Sequence, residues 1–242
     1  MSAMHNAAGT ASPRASRRPL RNRTEAGQKL AQALIEYMDH LDVLVLGLPR
    51  GGVPLAYEIA KALHAPLDVF IVRKLGAPDH EELAMGALAS GGMRVLNADV
   101  IDELEIPDAW IDIVVSKEQK ELDRRARAYR GERPPLNVRN KTILLVDDGI
   151  ATGATMRVAI AALRQQQPAK IIVAVGVAPV EICELLANEA DELVCVLTPE
   201  PFWSVGAWFE DFTETSDEEV RRLLAQAAKN LAAFHQPSGG KR

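Results

Sequence analysis

One stretch limits the possible folds of this chain more than any other: ILLVDDGIATGAT, Ile143 to Thr155. Four apolar residues, Ile143-Leu144-Leu145-Val146, run without a polar break into two aspartates and then into a loop of Gly, Thr and Ala. A short, branched run of this kind suits a strand covered on both faces, as in a parallel sheet. In open α/β sheets ligands sit at the carboxyl ends of such strands, so Asp147 and Asp148 are expected where a substrate meets them. The backbone N–H groups of Gly149, Ile150, Ala151, Thr152, Gly153, Ala154 and Thr155 lie between a strand end and a helix start. They can converge on one anion, and the helix dipole favours it. Thr152 and Thr155 add hydroxyl donors, and Gly153 allows close backbone approach. Vicinal hydroxyls or a bound Mg²⁺ would each welcome the neighbouring carboxylates, and a phosphorylated sugar meets both needs. A plain Gly-rich turn with Asp148 capping the helix stays open on this stretch alone.

Around it the chain alternates helix and strand. Helices are expected from Glu25, capped by Thr24, to about Asp39, and over Pro54–His64, Asp108–Arg130, 153–167, Val180–Asn188 and Asp217–His235. Strands are expected over Val43–Gly47, Leu67–Arg73, Met93–Asn97, 143–147, Ile171–Ala178 and Leu193–Leu197. Alternation of this kind implies an α/β fold: an open, mostly parallel sheet with helices on both faces, in one domain over residues 24–236. Residues 1–23 carry five arginines and no acid, which reads as a disordered basic arm or as a transit peptide. Pro13 and Pro19 break the amphipathic helix that the transit peptide needs, favouring the arm. Residues 237–242 read as a disordered polar tail.

Composition excludes some classes of function. A net charge of −5 disfavours nucleic acid as a partner, and no apolar run reaches the length of a membrane span. Cys183 and Cys195 lack metal-ligand spacing and read as buried thiols, so a cytoplasmic protein is expected. Rival phosphate loops fail on detail. A Walker A loop needs Lys after its last Gly, where this chain has Ala154, and GxGxxG is absent.

Two more segments bear on the same sheet edge. Leu48-Pro49-Arg50-Gly51-Gly52 follows the first strand of the domain and places a guanidinium and two permissive glycines there. Arg73-Lys74 ends the second strand, and residues 75–92 hold Gly76, Pro78, Gly86, Gly91 and Gly92, a composition that suits a flexible lid loop. His80-Glu81-Glu82 within it is not HExxH, because position 84 is Ala, and solvent exposure is expected. Phe202, Trp203, Trp208, Phe209 and Phe212 gather five of the chain's 11 aromatics, either as a stacking platform or as a hydrophobic anchor or dimer contact. Trp203 is the better placed for stacking and Phe212 for the core.

VDDGIATGAT resembles the 5-phosphoribosyl-1-pyrophosphate (PRPP) loop of the type I phosphoribosyltransferases. LPRGGVPLAYEIA, VRKLGAPDHEELAMGA and PFWSVGAWFEDF extend the resemblance toward a group described as predicted phosphoribosyltransferases. The resemblance implies that fold, with a small hood over about 98–130 and 199–215 and a lid over about 75–92. It implies that Asp147 and Asp148 hold the ribose hydroxyls and Mg²⁺, directly or through water, and that residues 149–155 hold the 5-phosphate. Arg50 and Gly51 would meet pyrophosphate, often beside a non-proline cis peptide, and Lys74 would close over it from the lid. Trp203 or Phe202 would stack on the base. Implied partners are PRPP, a small heterocyclic base and a second copy of the chain. Members acting on hypoxanthine and guanine generally carry an acid where this chain has Ala151, so a 6-oxopurine is disfavoured. A PRPP- or nucleotide-binding regulator without catalysis is the alternative, though it has less use for Arg50 and Lys74.

Overall fold

The computed structural model describes residues 3–6, 18–78 and 80–235. Its elements in chain order are β1 (Ala3–Asn6), α1 (Arg23–Ala33), β2 (Val43–Gly47), α2 (Gly52–Leu63), β3 (Leu67–Val69), β4 (Val72–Ala77), β5 (His80–Ala89) and β6 (Met93–Leu96). They continue with α3 (Ala98–Glu103), α4 (Asp108–Arg130), β7 (Thr142–Gly149), α5 (Ala154–Gln165), β8 (Lys170–Val177), α6 (Val180–Ala187), β9 (Glu192–Leu197) and α7 (Asp217–His235).

Six strands form one parallel sheet in the order β1-β9-β8-β7-β2-β3. The pleat sends successive side chains to opposite faces, and both faces are buried. Leu144 and Val146 of β7 pack with Leu30 of α1, Leu55 of α2 and Leu224 of α7 in one core cluster. Ile143 and Leu145 pack with Met156 and Leu163 of α5 and Leu186 of α6 in the other. The unalternating ILLV run is thus explained: each of its residues has a hydrophobic layer to enter.

Two expectations for the middle of the chain change. The strand expected over 67–73 splits, because Phe70 N–H bonds Gly47 O at 3.0 Å and the chain then leaves the parallel sheet as β4. The segment expected as a lid loop is mostly strand: β4 and β5 pair antiparallel, and β5 pairs with β6. The side chains of His80, Glu81 and Glu82 lie outside the described residues.

The arm is also shorter than its charge suggests. Leu20 is buried, its N–H bonds Trp208 O at 2.9 Å, and its carbonyl accepts from Glu210 N at 2.8 Å. Asn22, not Thr24, caps α1, its side chain accepting from Glu25 N at 3.0 Å while Glu25 accepts from Arg21 N at 2.7 Å. This resembles a capping box, except that the return bond reaches Arg21, one residue before the cap. Ala3–Asn6 adds an edge strand beside β9. The rest of the expected arm and the tail over 237–242 lie outside the described residues. Asn22→Ala should cost about 1 kcal/mol of stability in a urea titration, the usual loss for a capping side chain.

Candidate active site

The sheet order creates the site. From β2 the chain passes to β3 on one side, while β7 lies on the other side and passes to β8 farther out. The segments leaving β2 and β7 therefore diverge and leave a crevice between their carboxyl ends. Leu48-Pro49-Arg50-Gly51 enters it from β2, and Asp147-Asp148 from β7. The Pro49–Arg50 peptide is cis. The glycines let these two segments touch. A Cβ at Gly51 would stand 2.1 Å from Asp148 Oδ2, and one at Gly52 would stand 2.4 Å from Val146 O.

The anion loop follows. Ile150 is buried and anchored, its N–H bonding Val177 O at 2.9 Å. Gly153 adopts φ 79°, which glycine tolerates and other residues resist, and it turns the chain into α5. Ala151, Thr152, Ala154 and Thr155 are exposed. Among the described residues, the Ala151, Thr152 and Gly153 N–H groups donate to no protein acceptor. Three unsatisfied donors at a helix N-terminus form an anion site.

The acid pair is unequal. Burial of its carboxyl, then the charge of Asp148, pushes the pKa of Asp147 well above the ordinary carboxylate range. Asp148 N–H donates to Asp147 Oδ1 at 2.9 Å. Asp148 Oδ2 accepts from Arg23 Nε at 2.8 Å and lies 2.7 Å from Arg23 Nη2. One of the two acids thus has its pKa raised, and the other is paired with an arginine.

Arg50 is also paired. Its Nη2 bonds Glu214, and its Nη1 lies 3.6 Å from Asp217. Asp217 accepts from Tyr129 Oη at 2.7 Å, and burial followed by that contact pushes the Tyr129 pKa up to about 12. Lys74 stands exposed on β4, opposite Ala87 of β5 in the smaller sheet. Trp203 is 80% exposed, whereas Phe202 packs against the core. The core ring of the aromatic stretch is Phe209, at 6% exposure, and Phe212 is 37% exposed, which reverses the expectation for Phe212.

The structure thus joins Arg50, Gly51, Asp147, Asp148 and the loop over 149–155, and leaves Lys74 and Trp203 on other elements. Arg23, Glu214, Asp217 and Tyr129 were missed from sequence. Only Arg23 had a usable signal, the Asn-Arg-Thr-Glu capping pattern that places it in a helix instead of an arm.

As for metal, no cluster of three or more His, Cys, Asp or Glu is placed to hold an ion among the described residues. Two carboxylates, one of them held by Arg23, do not make a resident cage. They do fit an Mg²⁺ carried by substrate phosphates and water, the habit of that ion.

The phosphoribosyl transferase domain family matches residues 19–197. A Mycobacterium tuberculosis protein named provisionally as a phosphoribosyl transferase is 45% identical over 211 residues, which cover 87% of this chain and 47% of that protein. The chain spans about half the length of such relatives. The bifunctional protein PyrR of Chloroflexus aurantiacus is 31% identical over 129 residues, covering 52% of this chain and 65% of that protein. The crystal structure of TT1426 from Thermus thermophilus aligns with a TM-score of 0.76 and 39% identity, covering 86% of this chain and 98% of that one. Because the match runs through the same residues that build the crevice between β2 and β7, the chain belongs to the phosphoribosyl transferase family.

Proposed function

We propose that the protein transfers the 5-phosphoribosyl group of PRPP to a nitrogenous base, with Mg²⁺ bound alongside PRPP and pyrophosphate released. The observation that carries this reading is the meeting of a cationic loop, an acid pair and an open anion loop at one switch point. The free N–H groups of Ala151, Thr152 and Gly153 take the 5-phosphate, with the Thr152 and Thr155 hydroxyls beside them. Asp148, paired with Arg23, accepts from a ribose hydroxyl, and the Asp147 carboxyl beside it meets another.

As the bond from C1 to pyrophosphate breaks, negative charge grows on the leaving group and positive charge on the sugar. Arg50 exchanges Glu214 and Asp217 for pyrophosphate, and Lys74 approaches on the hairpin of β4 and β5. Asp147 and Asp148 would hold Mg²⁺ directly or through water, and the ion would supply positive charge to the diphosphate. Trp203 offers an exposed ring to the base. Ala151 supplies no carboxylate at the mouth of the loop, which speaks against a 6-oxopurine. A cytoplasmic location fits the reading, since Cys183 and Cys195 are both free and buried.

Pyrophosphate release from PRPP and Mg²⁺ over a panel of nucleobases tests the proposal. Release with one or two bases is expected, and no release with any base would overturn it. Lys74→Ala should lower turnover about a hundredfold, about 2.7 kcal/mol, the scale of one lost donor to a developing anion. PRPP affinity should fall less, because the charge Lys74 meets is largest in the transition state. Single-turnover kinetics with a titration of PRPP separates the two effects.

A further inference from the structure

We infer that Arg23 is a positioning residue for the sugar: it clamps one oxygen of Asp148 and leaves the other for the ribose hydroxyls. The inference rests on the reading of Asp148 as a ribose-binding acid. Its ground is the way the guanidinium is used. Arg23 Nε and Nη2 both meet Asp148 Oδ2, at 2.8 and 2.7 Å. Nη1 donates to Thr213 O at 2.6 Å, and the guanidinium carbon lies 4.0 Å from the centroid of the Phe212 ring. All three nitrogens and one face are engaged.

A side chain held this way has little freedom left, and both members of the pair are close to buried, at 12% and 13% side-chain exposure. Among the described residues no N–H donor meets Asp148 Oδ1. An arginine that merely blocked the site would cover both oxygens from the solvent side. Arg23 instead takes one oxygen, from the first turn of α1, and is itself tied to the hood at Phe212 and Thr213. Gly51 leaves room for the same carboxylate, since a Cβ there would lie 2.1 Å from Oδ2 and 2.9 Å from Oδ1. Asp148 is therefore fixed by three elements distant in sequence: α1, the loop after β2, and the hood.

The chemistry requires arginine in particular. A planar fork can meet a carboxylate along one edge, a carbonyl with its third nitrogen and a ring with its face, all at once. An ammonium cannot hold that geometry. Pyrophosphate, by contrast, is assigned to Arg50 and does not touch this arrangement, so the two halves of the substrate should respond differently to loss of Arg23.

The experiment measures binding of ribose 5-phosphate and of inorganic pyrophosphate with Mg²⁺ by calorimetry, on the full chain and on Arg23→Met. Ribose 5-phosphate should weaken about 10- to 100-fold, the range for partners that orient a ligand-binding group. Pyrophosphate affinity should stay within about twofold, because Arg50 is untouched. Arg23→Lys should recover only part of the loss. In an Asp148→Asn background Arg23→Met should add little, since its target is already altered. Unchanged ribose 5-phosphate binding in Arg23→Met, or equal weakening of both ligands, would overturn the inference. Should Arg23→Met fail to fold, Phe212→Leu removes the ring beneath the guanidinium and keeps every charge. Weakened ribose 5-phosphate binding there supports the inference, and unchanged binding overturns it. A wild-type chain that binds ribose 5-phosphate yet releases no pyrophosphate with any base overturns the transferase reading and leaves this one standing.

Discussion

Asp148→Asn should reduce phosphoribosyl transfer at least about a thousandfold, about 4 kcal/mol of transition-state stabilisation. The substitution keeps shape and volume but removes the charge that favours a sugar becoming positive at C1. It also weakens the hold on Arg23, whose side chain is 12% exposed and would meet only a neutral amide oxygen at position 148 beside Thr213 O and the Phe212 ring. A fold-stability loss of about 1 to 3 kcal/mol should accompany the kinetic one. Asp147→Asn should be the milder change. Burial and then the charge of Asp148 raise the pKa of Asp147, so its negative charge is less readily held than that of Asp148, which is paired with Arg23. Steady-state kinetics on both variants, with urea denaturation to separate unfolding from lost chemistry, decides the matter. Asp148→Asn with more than about a tenth of wild-type turnover would sink the assignment of the acid pair.

This asymmetry marks where sequence stops being informative. The doubled acid, the Gly-Thr loop and the PRGG turn were legible because each is local: a strand, a tight turn and a helix start within about a dozen residues. The core was legible for the same reason, since Ile143 to Val146 carry their two-faced burial in their own composition. The partners of the charged groups were not. Arg23 reaches Asp148 across 125 positions and Arg50 reaches Glu214 across 164, and no periodicity encodes such pairs. Both partners of Arg50, Glu214 and Asp217, lie in an acid-rich stretch with no motif that ties them to the loop after β2. The hairpin was missed because Gly76, Gly86, Gly91 and Gly92 signal flexibility locally. Its strands are defined by pairing, with Lys74 opposite Ala87 and Leu88 opposite Arg94.

Gly51 and Gly52 stand side by side, and replacing each with alanine should produce opposite failures. Backbone conformation raises no objection at Gly51, whose φ of −61° and ψ of −34° suit any residue. The obstacle is what the methyl group would meet. At Gly51 it would stand 2.1 Å from Asp148 Oδ2 and 2.5 Å from Cγ, the end of a side chain that can rotate away. Rotation, however, breaks the contacts of 2.8 and 2.7 Å to Arg23 and turns the carboxylate from its ligand. Gly51→Ala should therefore cost about 1 kcal/mol of stability and yet lower transfer by more than a hundredfold, about 2.7 kcal/mol. At Gly52 the methyl would stand 2.4 Å from Val146 O and 2.9 Å from Asp147 Cα, both backbone atoms of the central strand β7. Val146 O also accepts from Leu48 N at 2.9 Å, so a shift there disturbs the loop after β2 as well. Gly52→Ala should cost about 3 kcal/mol or more of fold stability, as overpacking against an element that cannot yield does. Thermal unfolding alongside kinetics reads both. A Gly51→Ala protein with wild-type transfer would show that the two segments need not touch for catalysis. A Gly52→Ala protein as stable as wild type would show that β7 gives way more easily than a central strand buried on both faces should.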